Sequence, residues 1–253
     1  MAKIISICNR KGGVGKTATA VNLGTYLAAL GKYVLLVDLD PQANATSGIG
    51  IIPDNLEKSI YHSLIEKVHP ENIIRKTRIF GLDILPSSFD LAGATIELVD
   101  FQQREFSLLK ILDKIRINYD YIIIDCPPSL ELLTINGLVA SDEIIIPAQC
   151  EYYSLEGLGQ LFKAIKLIKQ NLQENLKIAG ILLTMLDKKE KFTKKIKREI
   201  QKKYANYLFS TIIPKDHKLA EAPSFGKTIL QYDHKSKGAQ AYLKLAREII
   251  ILE

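Results

Sequence analysis

Residues 11–17 read Lys-Gly-Gly-Val-Gly-Lys-Thr, a run whose residue types suit phosphate binding. Gly12, Gly13 and Gly15 allow the backbone on either side of Val14 to turn its amides inward. A strand-like segment, Ile4 to Cys8, precedes this loop and a helix-like stretch, 17–30, follows it. The helix would present the positive end of its dipole to an anion. Lys16 is spaced to reach β- and γ-phosphates, and the Thr17 hydroxyl to ligate Mg²⁺. The full Gly-x-x-x-x-Gly-Lys-Thr pattern would open on glycine where this chain has Arg10, so the phosphate loop is a modified one.

A phosphate loop needs a carboxylate on a neighbouring strand to complete its metal site. Two segments offer one. Tyr121-Ile-Ile-Ile-Asp125 ends an apolar run on an acid, and Cys126-Pro127-Pro128 stiffens the exit. Val34-Leu-Leu-Val-Asp38-Leu39-Asp40-Pro41 carries two acids at i and i+2, which on extended backbone point the same way. One could hold a metal-bound water and the other an attacking water.

Such residues need a scaffold that brings strand ends together. Short β-branched runs at Ile4 to Ile7, Val34 to Val37, Ile122 to Ile124, Ile144 to Ile146, Ile178 to Leu183 and Phe209 to Ile213 alternate with amphipathic stretches. Strands apolar on both sides predict a doubly wound α/β fold, a mostly parallel sheet with helices on both faces. No Gly/Ser-rich linker or repeat interrupts it, so residues 1–253 are expected to form a single domain. The spacing predicts further helices near 57–66, 88–99 and 105–117, a strand near 82–85, and a core-packing helix over 239–252.

Composition narrows the class. Hydrophobic residues make up 47% and charged ones 25% of the 253 residues, which excludes a disordered chain. No apolar run approaches a membrane span, and the N-terminus lacks the pattern of a secretory signal. Cys8, Cys126 and Cys150 form no paired framework and read as buried free thiols of a reducing cytosol. The histidines at 62, 69, 217 and 234 share no metal-ligand spacing with them.

The net charge of +6 is unevenly spread. Residues 188–203 hold nine basic and two acidic side chains, leaving 25 basic against 26 acidic elsewhere. Phe192, Ile196 and Ile200 recur every four residues, so a helix here would bury a stripe and turn most cations outward. One reading is a solvated helix face. The other is a surface for a polyanion, which would relieve the repulsion among Lys188, Lys189, Lys191, Lys194, Lys195, Arg198 and Lys202, with Lys215 and Lys218 extending it. Contacts to a phosphate backbone would be independent of base sequence.

Lys11-Gly-Gly-Val-Gly-Lys-Thr17, Asp38-Leu-Asp-Pro-Gln-Ala-Asn-Ala-Thr46, Ile124-Asp-Cys-Pro-Pro128 and Glu221-Ala-Pro-Ser-Phe-Gly-Lys227 together resemble the ParA/Soj family of DNA-partitioning ATPases over essentially the whole chain. The phosphate loop alone is shared with MinD proteins and nitrogenase iron protein; the second and fourth segments are the narrower signal. The resemblance implies ATP and Mg²⁺ as cofactors, with residues 11–18, Lys11 to Ala18, around the phosphates. It implies that Lys11 crosses a dimer interface to the partner's nucleotide, that Asp40 positions the attacking water with Asp38 beside the metal, and that Asp125 holds Mg²⁺ through water. It places Pro214 and Asp216 on the adenine side, where relatives often carry Asn in place of Asp216. Arg10, Ala18 and Ala43 stand where Gln, Thr and Gly are common.

The function implied is a DNA-segregation ATPase. Its ATP-bound homodimer binds double-stranded DNA without sequence preference and releases it after hydrolysis stimulated by a ParB/Spo0J-like protein. Cytoplasmic, nucleoid-associated localisation and no stable membrane association follow. No helix-turn-helix extension precedes the first strand, which argues against operator-specific repression. The alternative is a MinD-like membrane-associated positioning ATPase, which shares the phosphate chemistry. A metabolic enzyme phosphorylating or amidating a carboxylic acid is a further rival.

Overall fold

A computed structural model describes residues 1–151, 154–187 and 191–252, with the side chains of 191–194 outside that description. The apolar runs form the strands of one sheet: β1 (Lys3–Ile7), β2 (Val34–Asp38), β3 (Arg75–Lys76), β4 (Leu82–Leu85), β5 (Tyr121–Asp125), β6 (Glu143–Gln149), β7 (Lys177–Leu186) and β8 (Leu208–Pro214). The order across this eight-stranded sheet is β3-β4-β2-β5-β1-β6-β7-β8. Every pairing is parallel except that of the two-residue edge strand β3 with β4. The mostly parallel, doubly wound fold expected from the strand pattern is the one observed.

Helices cover both faces: α1 (Lys16–Ala29), α2 (Asn44–Gly48), α3 (Ile60–Leu64), α4 (Leu91–Glu97), α5 (Ser107–Asp113), α6 (Leu132–Val139), α7 (Ser154–Asn171), α8 (Lys191–Tyr204), α9 (His217–Glu221), α10 (Ile229–Asp233) and α11 (Lys237–Ile251). Strand side chains divide between two cores by the period of two. Ile4, Leu35, Ile122 and Ile144 pack on one face with Leu108, Leu138 and Leu161. Ile5, Leu36, Ile123 and Ile145 pack on the other with Leu23, Leu27, Tyr242 and Leu245.

The segments expected near 57–66, 88–99 and 105–117 are broken more finely than their periodicity implied. α3 starts only at Ile60, where Ser59 and His62 form a capping box. α4 tightens into a 3₁₀ turn at Leu98–Asp100, and α5 lies between 3₁₀ turns at Arg104–Phe106 and Arg116–Asn118. At the other end of the chain α11 begins at Lys237, because the Ser236 hydroxyl accepts from Ala239 N at 3.1 Å and sets the N-cap there.

The parallel register fixes where chemistry can occur. Ile7 lies opposite Asp125, and Asp125 opposite Asp38. The carboxyl ends of β1, β2 and β5 therefore meet where the winding reverses, the connection from β1 to β2 running toward one edge of the sheet and that from β5 to β6 toward the other. Ligands of open α/β sheets bind at such a crevice.

Candidate nucleotide and catalytic site

The loop after β1 wraps the N-terminus of α1. Gly15 caps that helix with φ +88°, left-handed backbone that a residue with a Cβ adopts at a cost. Neighbouring strands hold the loop's shape. Thr184 Oγ1 donates to the Val14 carbonyl at 2.8 Å, and Gln149 Nε2 reaches the Gly13 carbonyl at 3.4 Å. Lys16, 7% exposed, donates from Nζ to the Lys11 carbonyl at 3.1 Å. Burial lowers its ammonium below the usual lysine range, against the pull of Asp125 and Asp40.

Asp125 is fully buried, and neither carboxylate oxygen has a hydrogen-bond partner. Burial, and then Asp38, push its carboxyl well above the usual range, while the Thr17 hydroxyl eases the charge. Asp38 is equally buried but fully engaged. Its Oδ2 accepts from Thr46 N and Oγ1 at 2.8 and 2.7 Å, and its Oδ1 from Asp40 N at 3.2 Å. Burial pushes Asp38 up to about 6 in spite of these bonds. Asp38 thus anchors α2 to the end of β2. Asp40, 8% exposed, accepts from Gln42 N at 3.0 Å.

One cavity of about 460 Å³ joins the phosphate loop to Asp40, and the fully buried Asp38 and Asp125 are not among the residues that line it. Gly12, Gly13, Gly15, Lys16, Thr17, Ala18 and Asp40 line it, so the loop residues and the Asp40 carboxylate share one space. Among the described residues no cluster of three or more His, Cys, Asp or Glu is placed to hold a metal ion. A hard cation that takes the Thr17 hydroxyl, phosphate oxygens and waters needs no such cluster, and the partnerless oxygens of Asp125 suit hydrogen bonds from its waters.

Other expected site residues sit elsewhere or are already engaged. The Lys11 ammonium pairs with Glu151 and lies 3.4 Å from Gln149 Oε1, within its own chain. Pro214 lines a neighbouring cleft of about 900 Å³ with Lys215, His217, Lys237 and Lys244. Asp216 caps α9 by accepting from Lys218 N at 3.1 Å, and its second oxygen accepts from Gly238 N at 2.7 Å. Both oxygens are therefore committed to backbone amides.

Of the basic residues singled out, Lys188 and Lys189 lie outside the described residues, and Lys191 and Lys194 are placed only as positions on α8. Lys195, Arg198 and Lys202 are exposed, opposite the buried Ile196, Ile200 and Tyr204. Lys202 pairs with Glu199 at 3.2 Å, and Lys218 with Asp233.

Sequence reasoning missed Gln149, Thr184 and Met185. Met185 lines the cavity at φ +51° and accepts from Gln149 Nε2 through Sδ at 2.8 Å. The available signal was a polar residue, Thr184 or Gln149, ending an apolar parallel strand, where ligands of such sheets bind.

The fold and the site together define a P-loop nucleoside triphosphatase with a modified phosphate loop. The family model described as an AAA domain matches residues 2–178. The chain is 51% identical to the sporulation initiation inhibitor protein Soj of Bacillus subtilis, over 98% of both chains. It is 48% identical to the chromosome partitioning protein ParA of Myxococcus xanthus, over 99% of this chain and 88% of that one. A crystal structure of cobyrinic acid a,c-diamide synthase from Mycobacterium smegmatis with bound ADP and magnesium matches with TM-score 0.87 and 35% identity, over 99% of this chain and 94% of that one. The chain belongs to the ParA/Soj family of partitioning ATPases.

Proposed function

We propose that this chain is a Mg²⁺-dependent ATPase that partitions DNA, switching between a nucleotide-bound dimer on the nucleoid and a released state after hydrolysis. The observation that carries the chemistry is the partnerless, buried Asp125 carboxylate beside Thr17 and Lys16 at the phosphate loop. Mg²⁺ bound by Thr17 and, through water, by Asp125 would offset charge on the phosphates. The loop amides and Lys16 hold the β- and γ-phosphates, and Asp40 orients the attacking water. Lys11 leaves Glu151 and Gln149 to reach the nucleotide of a second copy, adding positive charge where the transferred phosphoryl group becomes most negative.

Lys195, Arg198 and Lys202 on α8, with Lys215 on the loop after β8, supply the cations for duplex DNA, and a ParB-like protein accelerates turnover. The names of the two relatives at 51% and 48% identity support partitioning over amidation of a small acid. A MinD-like reading would want α11 free to meet a membrane. Instead its apolar face, Tyr242, Leu245, Ala246 and Ile249, is buried against the sheet and α1. Among the described residues no helix is long and apolar enough to cross a membrane.

Gel-shift and ATPase assays on the parent and Lys16→Ala test the proposal. ATP should promote binding to an arbitrary duplex in the parent, and Lys16→Ala should neither hydrolyse ATP nor respond to it. ATP-independent DNA binding, or a Lys16→Ala protein as active as the parent, would overturn the switch. ATP-dependent sedimentation with liposomes but not with DNA would favour the membrane reading.

A further inference from the structure

Two glycines far apart in sequence meet backbone to backbone beside the nucleotide cavity. Gly50 follows the C-terminal turn of α2 at φ +88°, and Gly226 ends the Ala222–Phe225 turn at φ +59°. A Cβ built at Gly50 would lie 2.8 Å from the Gly226 carbonyl oxygen, and one built at Gly226 would lie 2.7 Å from Gly50 Cα. Neither obstacle is a flexible side chain, so an added methyl must push the two segments apart.

The contact closes a ring of interactions around the cavity. From β2, Asp38 holds Thr46, and the Thr46 carbonyl accepts from Ile51 N at 3.2 Å. Gly50 N donates to the Ser47 carbonyl at 2.9 Å, fixing the turn that carries Gly50. Beyond Gly226, Thr228 caps α10, and Ile229 N donates to Asn22 Oδ1 of α1 at 2.9 Å. The cavity is lined from one side of this ring by Asp40, Gln42, Asn44 and Ser47, and from the other by Pro223 and Lys227. Asp40 sits on a segment whose N-terminal end is pinned by Asp38 and by Ser87, whose Oγ donates to the Asp40 carbonyl at 2.8 Å, so its backbone is fixed there while the rest of the segment depends on its far end. Within this ring, the far end of that segment meets the rest of the cavity wall at Gly50.

We propose that the Gly50–Gly226 contact is a positioning contact for hydrolysis: it seats the 40–50 segment, and with it Asp40, against the wall that α1 supports. The inference rests on the role given above to Asp40. The phosphate loop is held independently, through Thr184 and Gln149. Breaking the contact should therefore slow the chemical step while leaving the grip on diphosphate largely intact.

Gly31 provides a matched control. It has φ +87°, nearly that of Gly50, but a Cβ there would meet nothing within 4 Å. Gly31→Ala and Gly50→Ala thus share the cost of left-handed backbone, and only the second forces the segments apart. The measurements are single-turnover hydrolysis at saturating Mg-ATP, affinity for a fluorescent ADP analogue, and thermal melting. Gly50→Ala should hydrolyse ATP about tenfold or more slowly, the scale expected of a catalytic group displaced by a fraction of an ångström to an ångström. Its ADP affinity should stay close to that of the parent, and Gly31→Ala should keep the parent's turnover. Gly226→Ala approaches the same contact from the other side and carries the test if Gly50→Ala does not fold.

Equal turnover in Gly50→Ala and Gly31→Ala would overturn the proposal, as would a slowing matched by equal loss of ADP affinity. Asp40→Asn separates the two readings. If it hydrolyses as fast as the parent, the role of Asp40 is wrong; if it is slow and Gly50→Ala is not, the contact alone is wrong.

Discussion

Asp125 shows what the site sacrifices for function. A buried carboxylate whose two oxygens lack a close hydrogen-bond partner is costly, because burial removes water and the nearby Thr17 hydroxyl returns only part of what is lost. Asn at this position has the same shape and no charge to desolvate. Asp125→Asn should therefore melt no lower than the parent without ligand, yet lose most of the stabilisation that Mg-ATP confers. Differential scanning fluorimetry with and without Mg-ATP checks both parts, and a variant still fully stabilised by Mg-ATP would remove Asp125 from the metal site. Thr184 is the opposite case, a buried hydroxyl spent on a single bond to the phosphate loop at Val14. Thr184→Val keeps the packing and removes the donor. It should cost about 1–2 kcal/mol and weaken ADP binding, read by denaturant unfolding and by ADP titration.

Among elements, β8 is instructive because it lies at the edge of the sheet. Its outer amides are capped by α11: Glu248 accepts from Ser210 N at 2.7 Å and from Thr211 N at 3.0 Å. Burial works against the Glu248 charge, but these bonds prevail and hold its carboxyl below the usual range. A depressed folded-state value means that the contribution to stability is present above the unfolded value of 4.5 and is lost as pH falls through the folded one. Glu248→Gln should thus be less stable than the parent near neutral pH, by about 1 kcal/mol once solvent screening of a partly exposed group is allowed for. The gap should close in acid, and denaturant melts across that range measure it; a gap independent of pH would assign the loss to packing. Edge pinning of this kind was not legible in the sequence, whereas the central strands were. Val34 to Val37 and Ile122 to Ile124 are buried on both faces and so appear as unbroken apolar runs, and Ile4 to Ile7 is interrupted only by the buried Ser6. β3 has two residues and α2, α9 and α10 five each, too short for a period to register. The short helices form through particular side chains, Asp38 on Thr46 for α2, Asp216 on Lys218 N for α9 and the Thr228–Gln231 capping box for α10. The site divides the same way: Lys16, Thr17, Asp40 and Asp125 are carried by local motifs, but Gln149, Thr184 and Gly226 act on partners 136 to 176 residues away, and no local pattern records such a pairing.

At the scale of the whole molecule, the charge of +6 separates into a nearly neutral body and one strongly basic segment. The nucleotide site gathers carboxylates at the ends of β2 and β5, while the described cations Lys195, Arg198, Lys202 and Lys203 stand exposed on α8. Of these, Lys202 is partly offset by Glu199 and Lys203 lies over the Tyr204 ring, 5.4 Å from its centroid, so Lys195 and Arg198 are the better candidates for phosphate contacts. Binding driven by such contacts releases counterions and weakens steeply with salt, by about 0.9 logarithmic units per contact for each tenfold rise. Replacing Lys195, Arg198 and Lys202 together with Glu should abolish ATP-dependent DNA binding at moderate salt, and flatten the salt dependence of whatever binding remains at low salt. ATP affinity should not change, because none of the three lines the nucleotide cavity. Electrophoretic shifts over a salt series, paired with nucleotide titration, distinguish the outcomes. DNA affinity and salt slope equal to those of the parent would leave α8 as a solvated face and move the search for the DNA surface to the cleft lined by Lys215, His217, Lys237 and Lys244.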